Sequence, residues 1–182
     1  INMRIGVVGY SHEYFDHDVA YQLLEEAFDQ IITDYPSTII EIVSGLTNSG
    51  VPKLAYQIAQ KRAWITVGIS AGRALRVKSG IFPCDKQFLY GDEFGDESEQ
   101  FIAYIDCLIR IGGGKQSHQE VELFKIKQQQ TKQDVKKYLI EKELLSQRNR
   151  DKILNYSVNS LDICRHLSSK KLTKNDFIHK SE

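Results

Sequence analysis

The chain has 182 residues, 41% of them apolar and 26% charged, with only three prolines, which describes one packed domain of ordinary size. It holds no apolar run of 18 or more residues and no basic-then-apolar N-terminus, so neither a membrane span nor a signal peptide is expected. The formal charge of zero conceals two opposed halves: residues 1–114 carry 9 Lys/Arg and 15 Asp/Glu, whereas residues 115–182 carry 15 and 9. All 12 glycines and all three prolines lie at or before Gly114, so an acidic, glycine-punctuated body precedes a basic segment without helix breakers.

Arg4–Gly9 is a short β-branched run that reads as a buried first strand, ending in the loop Gly9-Tyr10-Ser11. Val19, Leu23, Leu24, Phe28 and Ile31 recur at helical spacing, with Asp16 and Asp18 at the start and Pro36 as the stop. Thr38–Val43 is a second strand, followed by the loop Ser44–Gly50 and a helix with Pro52 in its first turn. Trp64–Ile69 and Gln87–Tyr90 are the third and fourth strands. A helix over Ser98–Tyr104 leads to a fifth strand, Cys107–Ile111, and the glycine turn Gly112-Gly113-Gly114 opens another helix near Ser117. Strands alternating with helices predict an α/β fold: a doubly wound parallel sheet of Rossmann type with helices on both faces.

In such sheets the ligand sits beyond the carboxyl ends of the strands, near the point where strand order reverses. Three glycine-bearing loops belong to that edge: Gly9–Ser11, Ser44–Gly50 and Gly112–Ser117. Backbone N–H groups at a helix start favour an anion, most often phosphate. The candidate ligand-binding residues are therefore Gly9, Ser11, Ser44, Gly45, Thr47, Asn48, Ser49, Gly50, Gly113, Gly114, Lys115, Gln116 and Ser117. No GxxxxGK[ST] and no GxGxxG occurs, so neither a P-loop nor a standard dinucleotide fingerprint applies. Gly68-Ile69-Ser70-Ala71-Gly72 fits GxSxG, but a nucleophile elbow needs a sustained helix after the turn, and Gly80 and Pro83 interrupt this one. Cys84, Cys107 and Cys164 form no CxxC pair, so no zinc ribbon or disulfide framework is suggested and the cytoplasm is the expected compartment.

The run Gly112-Gly113-Gly114-Lys115-Gln116-Ser117-His118-Gln119-Glu120 is similar to the PGGxGTxxE signature of the LOG-like group, Rossmann-like nucleotide-binding proteins also called lysine decarboxylase-like. The wider SLOG superfamily includes DprA-type proteins and molybdenum cofactor carriers. Ser44–Gly50 resembles its second glycine loop and Gly9–Ser11 its first, so the resemblance spans residues 4–127. It implies a nucleotide or nucleotide-like phosphate ligand. It also implies an alternative: phosphoribohydrolase-like hydrolysis of nucleoside monophosphates, with Glu120 in the place of the motif's catalytic Glu. The position of the group's partner Arg falls on Glu97, which reverses the charge there. A cofactor carrier or nucleotide sensor without turnover is the third reading.

Asp92, Glu93, Asp96, Glu97 and Glu99 read first as a solvated acidic loop; Mg²⁺ held at Asp92 and Asp96 is the alternative. From Lys115 onward the sequence is compatible with helix. Val135, Tyr138, Leu139, Leu144 and Leu145 form one stripe, and Leu154, Val158, Leu161 and Cys164 a second. The expected organisation is thus a domain over 3–127 and a helical extension over 128–182, packed on the domain or on a second copy in a homo-oligomer. Lys132, Lys136, Lys137, Arg148, Arg150 and Lys152 interleave with Glu141, Glu143 and Asp151, and stacking aromatics are few, so nucleic acid is not an expected partner.

Overall fold

A computed structural model describes residues 2–147. The chain runs β1 (Asn2–Gly9), α1 (His17–Asp34), β2 (Ile39–Ser44), α2 (Gly50–Lys61), β3 (Ile65–Ser70), a 3-10 turn (Gly72–Arg76), β4 (Lys86–Leu89), α3 (Ser98–Tyr104), β5 (Cys107–Ile111), α4 (Lys115–Gln130), α5 (Val135–Tyr138) and β6 (Leu139–Lys142). All six strands are parallel, in the order β4-β3-β2-β1-β5-β6. The chain moves outward from β1 to β4, then crosses back to β5 beside β1. The reversal between β1 and β5 is the switch point of a Rossmann-like doubly wound sheet.

Each face buries its own apolar stripe. Leu24, Phe28 and Ile31 of α1 and Ala55, Ile58 and Ala59 of α2 pack with Ile5, Val7 and Ile42 in one core. Phe101 and Ile102 of α3 and Val121 and Phe124 of α4 cover Val8, Val43 and Leu108 on the other. Helix α1 starts where expected because the Asp16 carboxylate accepts the Val19 N–H at 3.1 Å. Among the described residues no helix is long and apolar enough to cross a membrane.

A charge is buried within the sheet. Glu41 is 1% exposed inside β2 and is met by Lys86, by Arg4 at 3.2 Å and by the Tyr104 hydroxyl at 2.9 Å. Burial pushes its carboxyl up, but the hydrogen bonds from Lys86 and Tyr104 and the charges of Lys86 and Arg4 outweigh that, and its pKa lies below the ordinary value.

One expected element is corrected. The Val135–Leu145 stripe was expected to be helical, yet only Val135–Tyr138 is a short helix, and Leu139–Lys142 is a sixth parallel strand on β5. A short apolar run fits either period, and the unpaired edge of fully buried β5 decides it, because its backbone N–H and C=O groups need partners. Arg110 secures the join: it is 3% exposed, its Nε donates to Glu141 at 2.8 Å, its Nη1 to the Gly112 carbonyl at 2.9 Å, and it pairs with Glu143. Arg110→Met keeps the apolar stem but orphans the Gly112 carbonyl, and a loss of about 2 kcal/mol is expected. Denaturant midpoints read this, with exchange protection in β6 lost first.

The compact unit that holds the sheet ends at Leu144, and a second begins at Leu145. The stripe Leu154, Val158, Leu161 and Cys164 lies outside the described residues, as do Arg148, Arg150 and Lys152.

Candidate functional site

The turn from β5 into α4 is made by two consecutive left-handed glycines, Gly112 at φ +56° and Gly113 at φ +99°, conformations that other residues rarely adopt. Space forbids a side chain too. A Cβ on Gly113 would lie 2.5 Å from Ser117 Oγ and 3.2 Å from Gly9 Cα, and one on Gly112 would lie 2.5 Å from the Tyr10 ring. The loops after β1 and β5 therefore touch. Gly114, the N-cap residue of α4, supplies no side-chain cap to the helix, and a Cβ there would meet nothing within 4 Å. The first turn of a 16-residue helix thus opens on free space with its positive end uncapped.

The middle loop is occupied differently. Gly50 N–H donates to the Glu13 carboxylate at 2.9 Å, and Val51 N–H donates to the Tyr10 carbonyl at 2.8 Å. Ser49 Oγ donates to the Ser11 carbonyl and Ser44 Oγ to the Val7 carbonyl, each at 2.6 Å. Asn48 N–H donates to the Gly80 carbonyl at 3.0 Å. The start of α2 is consumed by internal contacts, whereas no side chain caps the start of α4.

A cavity of about 450 Å³ lies across the carboxyl ends of β3, β2, β1 and β5. Of the residues anticipated from sequence, its wall includes Gly9, Ser11, Ser44, Gly45, Thr47 and Ser49, and on the α4 side Gly114, Lys115, Gln116, Ser117 and Glu120. Asn48, Gly50 and Gly113 are not on the wall; they shape the loops behind it. Phe94 and Phe101, which were not anticipated, also line the cavity, as do Tyr10, inside the first glycine loop, and Ser70, weighed from sequence only as a nucleophile. Ser70 had a usable signal, being the last residue of a strand at the same edge, whereas nothing local marks Phe94. The short 3-10 turn after Ser70 rules out the helix that a nucleophile elbow needs.

Two carboxylates define one wall. Glu97 is 5% and Glu120 7% exposed, and both line the cavity. The Gln116 amide bridges them, its Nε2 lying 3.2 Å from Oε1 of each. Ser98 Oγ donates to Glu120 Oε1 at 3.0 Å, and Gly95 N–H donates to Glu97 Oε2 at 2.8 Å. Both hydrogen bonds that Glu120 accepts therefore fall on Oε1. Burial pushes the Glu120 carboxyl up to about 7; the bonds from Gln116 and Ser98 oppose this and the charge of Glu97 adds to it. Near neutral pH the group is divided between carboxylate and carboxylic acid, so it can both accept and donate.

Other titratable groups near the cavity have structural partners. His12 is on the cavity wall and accepts the Tyr14 N–H on Nδ1 at 3.0 Å, whereas His17 pairs with Glu13 at 3.0 Å and stacks on Phe15. Asp96 Oδ2 accepts the N–H groups of Asp92 and Glu93 at 3.0 Å each, closing its own loop. Among the described residues no group of three or more His, Cys, Asp or Glu is placed to hold a metal. Burial pushes the Cys84 thiol up to about 11 and the Cys107 thiol up to about 12, so neither is a nucleophile at neutral pH.

Solved structures share this fold. The molybdenum cofactor carrier protein MCP from Chlamydomonas reinhardtii is 18% identical with a TM-score of 0.55, the match covering 78% of this chain and 76% of that one. The molybdenum cofactor binding protein from the phototrophic bacterium Rippkaea orientalis is 19% identical with a TM-score of 0.54, over 87% of this chain and 98% of that one. The structural-genomics target TM1055 is 14% identical with a TM-score of 0.52, over 85% and 99%. No protein-family model and no curated protein matches the sequence. At these identities the likeness shows a Rossmann-like fold.

Proposed function

We propose that the protein binds a phosphate-bearing small molecule, a nucleotide or a nucleotide-like cofactor, and holds it without turning it over. The observation that carries this reading is the uncapped start of α4 opening into the cavity at Gly114. Phosphate docks there on the backbone N–H groups of residues 115–117, with Ser117 and Lys115 beside it. The ring end of the ligand lies against Glu97 and Glu120, whose oxygens suit N–H or O–H donors rather than a second phosphate. Holding is favoured over hydrolysis because Glu97 stands where the resembling enzymes carry a cation. Two neighbours in fold are named for carrying or binding the molybdenum cofactor, which supports trying that cofactor among the first ligands. The resemblance of the loop sequence 112–120 to the LOG-like signature supports the same reading.

A second reading rests on a specific observation. Glu120, with its pKa pushed up to about 7, is poised as a general acid or base, as a phosphoribohydrolase would need.

Calorimetry with AMP and with inorganic phosphate tests the first reading. Gly114→Val fills the open space at the α4 start, so binding is expected to weaken at least tenfold while stability falls by less than about 1 kcal/mol. Unchanged affinity would remove the α4 site. Incubation with AMP separates the two readings: no free adenine is expected, and adenine release abolished by Glu120→Ala would establish turnover instead.

A further inference from the structure

A second, open depression adjoins the cavity and shares two of its walls, Val77 and Phe94; its other residues are Arg73, Arg76 and Glu93. We propose that Arg73 and Arg76 form a second anion-binding subsite at this end of the cavity, so that the ligand is an extended molecule with two acidic groups, one at the start of α4 and one at the turn after β3. The inference rests on the cavity being a ligand site and adds what the far end of that ligand must carry.

The scaffold of the subsite is built. The 3-10 turn bearing both arginines is fastened to the loop after β4, with Gly72 N–H donating to the Gly91 carbonyl at 3.0 Å and Arg73 N–H to the Asp92 carbonyl at 2.9 Å. The Arg73 guanidinium lies 5.9 Å from the centre of the Phe94 ring, the side chain that also walls the main cavity. A ligand leaving the cavity past Phe94 meets it directly.

Charge supports the assignment. Arg73 Nη1 pairs with Glu93 Oε2 at 2.5 Å, but both side chains are more than half exposed, so the pair is weak and a dianion displaces it readily. Arg76 has no ion-pair partner among the described residues. Of the charged side chains lining the hollow, two are guanidiniums and one is a carboxylate, and the guanidinium fork suits phosphate or carboxylate. Glu97 and Glu120 line the main cavity and disfavour a second anion beside them, which leaves the arginine end as its place. Residues after β5 and after β3 are separated by three strand spacings, so the two anion positions lie on the order of 15 Å apart.

The test uses the full chain, isotopically labelled, with inorganic phosphate as the probe and nuclear magnetic resonance as the readout. Two sets of signals are expected to shift on titration: the amides of residues 113–117 and the Nε–H groups of Arg73 and Arg76. In the double variant Arg73→Ala/Arg76→Ala the bound phosphate is expected to fall from two sites to one, with the amide isotherm of residues 113–117 unchanged. Glu93→Gln should tighten the arginine isotherm by about threefold, a gain that damaged folding would not produce. Arginine signals that stay still while the 113–117 amides saturate would overturn the second subsite and leave the first. Silence at both places would overturn this proposal and the phosphate reading together.

Discussion

Glu120→Gln is expected to stabilise the protein at pH 8 and to flatten its stability between pH 5 and pH 8. The carboxyl is 7% exposed and its pKa is pushed up to about 7 from an ordinary 4.5. A carboxyl raised in the folded state binds more protons there than in the unfolded chain throughout that interval. Stability contributed by this group is therefore full below the unfolded value and is lost as pH rises through the folded one. A shift of this size corresponds to about 3 kcal/mol between pH 4.5 and pH 7, and above pH 7 the native protein bears the whole cost. Glutamine keeps an oxygen for Gln116 and Ser98 and removes the repulsion with Glu97. Urea unfolding at pH 4.5 and at pH 8 reads the result: near-equality at the first, a clear gain at the second. Equal stability at pH 8 would mean that the carboxylate is at ease in the cavity wall. Glu41 works in the opposite direction, since its depressed pKa supplies stability that is present above the unfolded value and disappears as pH falls through the folded one.

The second large effect concerns Gly9. Its Cβ would fall on the Ile111 carbonyl oxygen of the paired strand and 2.9 Å from Val51 of α2. The oxygen belongs to a backbone held in the sheet and cannot rotate away, so Gly9→Ala must push β1 from β5 or lift α2. A loss of about 3 kcal/mol is expected, visible as a fall in Tm or in soluble yield. Gly45→Ala is the matched comparison: it sits on the same cavity wall, its Cβ would meet nothing within 4 Å, and its Tm should stay near the parent value. If the two variants melted alike, Gly9 would owe its place to the ligand rather than to the packing of α2.

This contrast indicates how far the sequence could be read. The loop after β1 was recognisable as a glycine loop at the carboxyl edge of a first strand, and Gly9 was assigned to ligand. Its contact with Ile111 joins residues about a hundred positions apart, and no local pattern carries that. The loop at 44–50 is a sharper case. Its hydroxyls and glycines suggest anion binding, but the Glu13 carboxylate already sits on the Gly50 N–H, and a residue 37 positions upstream is invisible to motif reading. The run at 112–120 was informative because its constraint is local: two left-handed residues before a helix need glycine whatever surrounds them. The sixth strand was misread for the reverse reason, since Leu139–Lys142 takes its conformation from the bare edge of β5.

The zero net charge follows the same division. Sequence by itself determined the parallel α/β fold, because strand and helix periods alternate along the chain and hydrophobic burial follows those periods. It also marked the two halves of opposite charge and the glycine turn into α4. Only the tertiary structure decided what the charges near the cavity face. It buried Glu97 and Glu120 in the cavity wall, bridged them through Gln116, and put Arg73 and Arg76 in the depression that adjoins the cavity at Phe94. Electrostatic effect depends on distance and burial, not on position along the chain, so Glu97 of the acidic segment came to share a cavity wall with Glu120 only once the sheet had formed.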